Sequence, residues 1–301
     1  MLIIKYRAFF FWLTGLILAG AIGALVFFGL PLSIDFTGGS LVEVAYQDTR
    51  PDVTALKERV AAAGFDDLSL RESGEKGITV RAHTLTPEEH NALLLSLSNN
   101  GAEPVTELRF NSIGPSLGSE LAIKALYAIG AVMLAIMFYI ALVFRKVSRP
   151  VPSWGYGLVV ILMLAIDIIV PAGFFAAYAH FTGAQADALF VVALLALLGY
   201  CVNDVIIVFD RVRERLKLNL EKNVKEDFET TVGISIDQTL GRSINTSLTV
   251  ALALLAIILF GAEATRDFAL VMLVGVVVGT FSSICRSAPL LIPIAKQFSK
   301  K

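Results

Sequence analysis

Six long apolar runs pattern this chain, and one long polar segment interrupts them. A helix that crosses a bilayer needs about 20 mainly apolar residues. Residues 8–30, 121–144, 154–177, 188–209, 243–261 and 268–295 meet that length. The last run is long enough to tilt or to lie partly in the interface. The first reads as an uncleaved span, because it is long enough to cross and no small-residue cleavage site follows it. Short loops join the later runs.

Residues 31–120 follow a different pattern. "SLVEVAYQD" (40–48) alternates as a strand does, and "VTALKERVAAAGF" (53–65) has helical spacing with Gly64 as its stop. "DLSLRES" (67–73) and "GITVRAH" (77–83) read as two strands joined through Gly74 and Gly77. "TPEEHNALLLSLSNNG" (86–101) opens on Thr86, Pro87 and Glu89, a capping box with proline at the first helical position. "PVTELRFNSIG" (104–114) is the last strand. The order β-α-β-β-α-β predicts an α+β, ferredoxin-like domain with two helices on one face of a four-stranded sheet. Its roughly 90 residues suffice for one modest core.

Composition agrees with the pattern. The chain of 301 residues is 56% hydrophobic and 17% charged, against about 25% charged in a soluble domain. The expected class is therefore a polytopic α-helical membrane protein. It has three parts: 1–30 with the first transmembrane helix, a polar domain over 31–120, and a five-helix transmembrane bundle over 121–301. Lys and Arg placement sets the orientation. Lys5 and Arg7, then Arg145, Lys146 and Arg149, then the cluster from Arg211 to Lys225, then Lys296, Lys300 and Lys301 all fall on one side if six spans alternate. The opposite short loops hold only Arg266. Both termini are expected in the cytoplasm and 31–120 on the exported side. Cys201 and Cys285 lie in apolar runs and imply no disulfide framework. No Cys/His cluster has metal spacing, and no nucleotide loop or nucleophile elbow appears, so nothing points to an ATPase, a hydrolase, a metal site or a cofactor.

Charges at membrane depth carry the candidate chemistry, because each costs roughly 2.5–3.5 kcal/mol on insertion scales. Asp167 lies midway along the third run, with Pro171 one turn later. Asp204, beside Asn203, lies roughly 16 residues from the outer end of the fourth run, or about 24 Å in. In the antiparallel fifth run, Arg242, Thr246 and Thr249 share one helical face, with Asn245 beside them. Counted from the outer ends, Arg242 and Asp204 differ by about 4.5 Å along the axis. The expectation is a proton pathway made of Asp204, Arg242, Asn203, Thr246, Thr249 and Asp167, a wet seam inside the bundle in which Asp204 takes a proton and Arg242 is the counter-charge that tunes it. Other readings stand beside it. Asp204 could hold helix register in a static pair, Arg242 could be an interfacial anchor, and Asp167 could make a plain polar contact. Arg211, Arg213 and Arg215 read as interfacial anchors with Asp210 as their local partner.

Five segments carry a resemblance. "IDFTGGS" (34–40) after the first span, "IGPSLGSEL" (113–121) before the second, "GYCVNDVIIVFDRVRE" (199–214), "QTLGRSINTSLT" (238–249) and "DFALVMLVGVVVGTFSSI" (267–284) resemble, in order, the motifs of the SecD/SecF family of protein-export membrane subunits. The form Asp35-Phe36-Thr37-Gly38-Gly39 is similar to the SecF branch. The resemblance implies a six-helix unit of RND type in the bacterial cytoplasmic (inner) membrane. It implies a proton-driven transport accessory subunit, and no enzyme. The partners it implies are SecD, the SecYEG translocon, the exported unfolded polypeptide and membrane lipids, with YajC and YidC as further candidates and no nucleic acid. It places proton roles on Asp204 and Arg242, with Thr246 in the fifth-span threonine position. It makes Asp35, Phe36, Thr37, Gly38, Gly39, Gly114, Pro115 and Gly118 the junctions through which the exported domain is moved. The chain departs from the family pattern at three positions. Ile166 stands where many relatives have histidine, Cys201 where many have serine, and Arg286 is an unexpected charge, expected to snorkel inward or to bind anionic lipid. The competing functional classes are a proton-coupled RND-type exporter of small or lipidic solutes and a passive scaffold subunit.

Overall fold

The computed structural model describes residues 2–65, 68–146 and 150–298. Asp67 of the second predicted strand, and Arg149, Lys300 and Lys301 of the orientation argument, lie outside the described residues. The chain divides into two compact units, Leu32–Leu126 and the remainder.

In the smaller unit, β1 (Gly39–Tyr46), β2 (Ser69–Ser73), β3 (Gly77–Ala82) and β4 (Val105–Ile113) form an antiparallel sheet in the order β2-β3-β1-β4. Helices α4 (Val53–Ala62) and α5 (Pro87–Leu97) complete the β-α-β-β-α-β order of the ferredoxin-like fold. Alternation puts Val42, Val44 and Tyr46 of β1 on one face with Ile78 and Val80 of β3, where they meet Leu56, Val60, Leu93 and Leu97. Each such burial contributes about 1.5–3 kcal/mol. The Tyr46 hydroxyl donates to the Leu97 carbonyl at 2.9 Å, and burial pushes that phenol up to about 12. The capping box is present: Glu89 N–H donates to Thr86 Oγ1 at 3.3 Å, and Thr86 N–H donates to Glu89 Oε2 at 2.8 Å. Asn99, Asn100 and Gly101 end that helix with positive φ.

Among the described residues, six helices are long and apolar enough to cross a membrane. They are α2 (Arg7–Phe28), α6 (Pro115–Val143), α7 (Ser153–Thr182), α8 (Ala188–Glu221), α9 (Phe228–Phe260) and a last span made of α10 (Glu263–Ser282), a π turn (Ser283–Ser287) and α11 (Ala288–Phe298). Helix α8 extends past its apolar run by about three turns, and α9 begins about four turns before its own. Hydropathy marks the hydrocarbon only, whereas helical hydrogen bonding continues into water where side chains support it. On α8 the support is Arg211–Glu214, Arg213–Asp210 and Lys217–Glu221 pairs at helical spacing. In the hairpin between the helices, Glu226 accepts from Arg215 Nε and Nη2 at 2.9 and 2.8 Å, from Asn219 at 2.7 Å and from Thr231 at 3.0 Å. The bidentate Arg215 contact, with those amide and hydroxyl bonds, holds its carboxyl down at about 2. Glu229 at the start of α9 ties Arg7 at 2.7 Å and Lys296 at 3.5 Å.

Lipid tails are as apolar as leucine, so helices in a bilayer associate through close packing at small residues. Helix α2 meets α7 where Gly173 faces the backbone of Ala21. Helix α10 meets α8 where Gly275 faces Leu197 and Gly279 faces Cys201. Helices α7, α8 and the last span hold most of the buried apolar residues, among them Val160, Leu164, Leu197, Val205, Val276 and Leu291.

Candidate functional site

On α8 the buried residues fall at helical spacing: Ala193, Leu194, Leu197, Leu198, Cys201, Asp204, Val205 and Val208. Asp204 therefore occupies a core position of an otherwise apolar stripe and is 2% exposed. Its Oδ2 has no hydrogen-bond partner. Asn203 turns to the exposed side.

Helix α9 is rotated from the arrangement the spacing suggested. Its buried face carries Thr231, Ser235, Thr239, Ser243 and Ser247, one hydroxyl every four residues. Arg242, Asn245 and Thr249 are exposed and Thr246 is half-buried. The Thr246 hydroxyl donates to the Arg242 carbonyl at 2.9 Å, and that of Thr249 to the Thr246 carbonyl at 2.7 Å. Both are thus bonded to their own helix. Arg242 acts on Asp204 through its field, but among the described residues no ion pair joins them. The expected Arg-Thr-Thr seam is an open face of the bundle, not its interior.

What lies inside is a hydroxyl cluster. Tyr200 donates to Ser247 Oγ at 2.8 Å, and Thr280 of α10 reaches the same oxygen at 2.6 Å. The Tyr200–Ser247 bond fixes the antiparallel register of α8 and α9. One turn further along each helix stand Asp204 and Ser243, whose Oγ is also buried and unbonded. Spacing alone could have found these serines, because a strict four-residue hydroxyl repeat marks one helix face.

Asp167 of α7 is paired with Arg286 of the last span. Arg286 Nη2 donates to Asp167 Oδ1 at 3.3 Å, with the two side chains 3% and 2% exposed. Arg286 thus neither snorkels nor faces lipid. The Cys201 thiol and Ser282 hydroxyl flank Asp167, and Ser282 donates to Met163 Sδ at 3.4 Å.

The junction motifs meet in the smaller unit. Ser33 caps the short helix Ile34–Thr37, accepting from Asp35 N–H at 3.2 Å, and Phe36 is buried. The Thr37 hydroxyl donates to the Ser33 carbonyl at 3.0 Å. Gly38 has φ +77°, and a Cβ there would stand 2.5 Å from Pro115 Cα. A Cβ on Gly118 would stand 2.6 Å from Gly38 N, and one on Gly39 2.6 Å from the Ala82 carbonyl. Gly114, just before Pro115, leaves open space. The glycines that these contacts require are those of the two motifs. Among the described residues no His, Cys, Asp and Glu cluster could hold a metal ion.

Comparison with known proteins identifies the family. The family model described as protein export membrane protein SecD/SecF, C-terminal, matches residues 95–297, and the SecD/SecF GG motif matches residues 23–49. The chain is 36% identical to the protein translocase subunit SecF of Thermobaculum terrenum, over 96% of this chain and 92% of that protein. It is 38% identical to that of Anaerolinea thermophila, with the same coverage. Among solved structures it is similar to SecDF of Thermus thermophilus, described as a translocon-associated membrane protein, with TM-score 0.82 and 30% identity over 96% of this chain. It spans only 38% of that SecDF chain. A second SecDF structure, in a super-membrane-facing form, matches with TM-score 0.67 and 29% identity, over 99% of this chain and 40% of that one. With a family model covering most of its length and full-length relatives above 30% identity, the chain belongs to the SecD/SecF family of protein export membrane proteins, on its SecF side.

Proposed function

We propose that this chain is a SecF-type subunit that works with SecD, in the bacterial cytoplasmic membrane, to assist protein export through SecYEG at the expense of the proton-motive force. Both termini are cytoplasmic and residues 31–120 are exported, where they meet the emerging unfolded polypeptide. One elementary charge crossing 100 mV supplies about 2.3 kcal/mol. The observation that carries the reading is Asp204, a carboxylate in the core stripe of a membrane helix with one oxygen unbonded.

Asp204 takes its proton along the hydroxyls of Tyr200, Ser247 and Thr280, which stand one turn away. Ser243, at the level of Asp204, hands it on. Protonation removes the attraction to Arg242 and lets α8 and α9 repack. The exposed polar face made by Asn203, Arg242, Thr246 and Thr249 is where SecD completes the path. The motion passes to the exported domain through Asp35–Gly39 and Gly114–Gly118, whose backbones touch. Close contact without side chains between them transmits a shift that a padded contact would absorb.

The test is export of a secreted protein into inverted membrane vesicles that hold SecD and either the parent chain or Asp204→Asn, with and without a proton gradient. The gradient should stimulate export in the parent only, with equal recovery of SecD on the purified chain. Equal stimulation in both rules the proposal out. Altered drug accumulation with unchanged export would favour the exporter reading, and full tolerance of Asp204→Asn and Arg242→Gln would favour the scaffold.

A further inference from the structure

The role proposed above makes no use of Arg286, yet its placement is costly. A carboxylate and a guanidinium taken out of water lose their hydration, and a pair recovers this only with good geometry and with its remaining polar atoms bonded. The Asp167–Arg286 pair has neither. One contact of 3.3 Å joins it, while Oδ2 of Asp167 and Nε of Arg286 are buried with no partner. As a fixed strut it would be matched by apolar residues of the same volume.

The backbone adds a second observation. Arg286 sits in the single π turn of a last span that is otherwise α-helical. Ser283 and Ser287 bond to backbone carbonyls of the turn before them, Ser283 to Thr280 at 3.0 Å and Ser287 to Ser283. A π turn carries one extra residue and can relax to α, and such turns recur at functional sites. The third observation is Cys201, which lies one turn from Asp204 on the same buried stripe and borders Asp167 as well. Gly279 lets α10 close over this point, with the Cβ position 3.4 Å from Cys201 Cβ and 4.0 Å from Asp167 Oδ2. The charged and titratable groups acting on Asp167 are Arg286 from the π turn and Cys201 from α8. Helix α2 carries only Arg7 and α11 only Lys296, and both are tied to Glu229; α10 carries Glu263, Arg266 and Asp267 at its far end, where Asp267 accepts from Tyr178, about three turns along α7 from Asp167.

We propose that Asp167 is a second proton acceptor, loaded on its free oxygen, and that Arg286 is its positioning residue, docked on Asp167 by the π turn while the carboxylate is charged and released when it is protonated. The inference rests on the proton-coupled reading above. In the step itself, a proton leaves the carboxyl of Asp204 and bonds to Oδ2 of Asp167. One O–H bond breaks and one forms, and nothing is oxidised or reduced. Release of Arg286 then frees the last span to change its turn.

Proteoliposomes containing this chain with SecD provide the test. Proton flux and pH-dependent infrared difference spectra would be recorded for the parent, Asp167→Asn, Arg286→Lys, Asp204→Asn and the double variant Asp167→Asn/Arg286→Gln. The double variant leaves neither charge of the Asp167–Arg286 pair buried without the other. It should assemble with SecD as the parent does, yet pass protons at least about tenfold more slowly. The protonated-carboxyl band should lose a component in Asp167→Asn, and that component should titrate at a shifted pH in Arg286→Lys. Parental flux in the double variant overturns the inference. So does a carboxyl band untouched by Asp167→Asn, or a titration untouched by Arg286→Lys, whether or not the double variant assembles. Flux retained in Asp204→Asn refutes the proton-coupled reading itself. Flux lost there but kept in the double variant refutes only the role of Asp167 and Arg286.

Discussion

Replacing Gly173 by alanine tests how the first span is held. The new methyl would lie 2.6 Å from Ala21 Cα and 2.7 Å from the Ala21 carbonyl carbon. Relaxed carbon–carbon contact needs about 3.5–4.0 Å, so α2 must retreat from α7 by about 1 Å. The obstacle is backbone, so no side-chain rotation relieves it. Overpacking of this kind costs about 1–3 kcal/mol, and alanine returns about 0.5–1 kcal/mol of helix propensity. The net expectation is a loss of about 1–2 kcal/mol. Reversible unfolding of the purified chain in mixed micelles would measure it. Gly23→Ala is the internal control, because nothing lies within 4 Å of its Cβ position. It should be neutral or stabilising by up to about 1 kcal/mol. Adding Ala21→Gly should not rescue Gly173→Ala, since Ala21 Cα remains. If Gly173→Ala proves as stable as Gly23→Ala, the close α2–α7 crossing is wrong.

Three further outcomes follow from the same structure. Glu226→Gln should destabilise the α8–α9 hairpin by about 1–2 kcal/mol, a range set by its hydrogen bonds to charged and neutral donors and reduced for screening at the water boundary. The Glu226 carboxyl is depressed from 4.5 to about 2 on folding. Its contribution is therefore full above pH about 4.5 and lost as pH falls towards 2, and Glu226→Gln should flatten that part of the stability profile measured by hairpin amide exchange. Gly38→Ala forces an L residue to φ +77° and against Pro115, so protection of residues 32–46 in the full chain should fall by about 2 kcal/mol or more. Tyr200→Phe removes the donor to Ser247 and should slow proton flux without lowering recovery of the SecD complex; unchanged flux would take Tyr200 out of the path.

Much of the fold is readable from periodicity because burial is periodic. Alternation in 40–46 and the capping residues Thr86 and Glu89 determine local structure without help from distant contacts. Helix ends are less readable, because α9 begins at an Asp227 cap several turns before the apolar run that marks the span. In the site, depth was legible and rotation was not. Counting residues from the outer ends placed Asp204 near Arg242 along the axis. It could not show that Arg242 stands one residue, about 100°, away from the buried Ser243. The partner of Asp167 was hidden for a different reason. The π turn shifts the register of the last span, and no hydrophobic pattern announces one extra residue in a turn. A buried acid in α7 and an unexplained base in the last span were the available signal, since buried charges are paired.

The most direct measurement is proton flux through the reconstituted complex with SecD, comparing the parent chain with Asp204→Asn and Asp204→Glu under an imposed proton gradient. Asparagine keeps the size and polarity of the side chain but takes up no proton, whereas glutamate keeps the carboxyl. The account predicts that flux is abolished in Asp204→Asn and partly kept in Asp204→Glu, with SecD bound equally in all three. Flux in Asp204→Asn equal to that of the parent would contradict it.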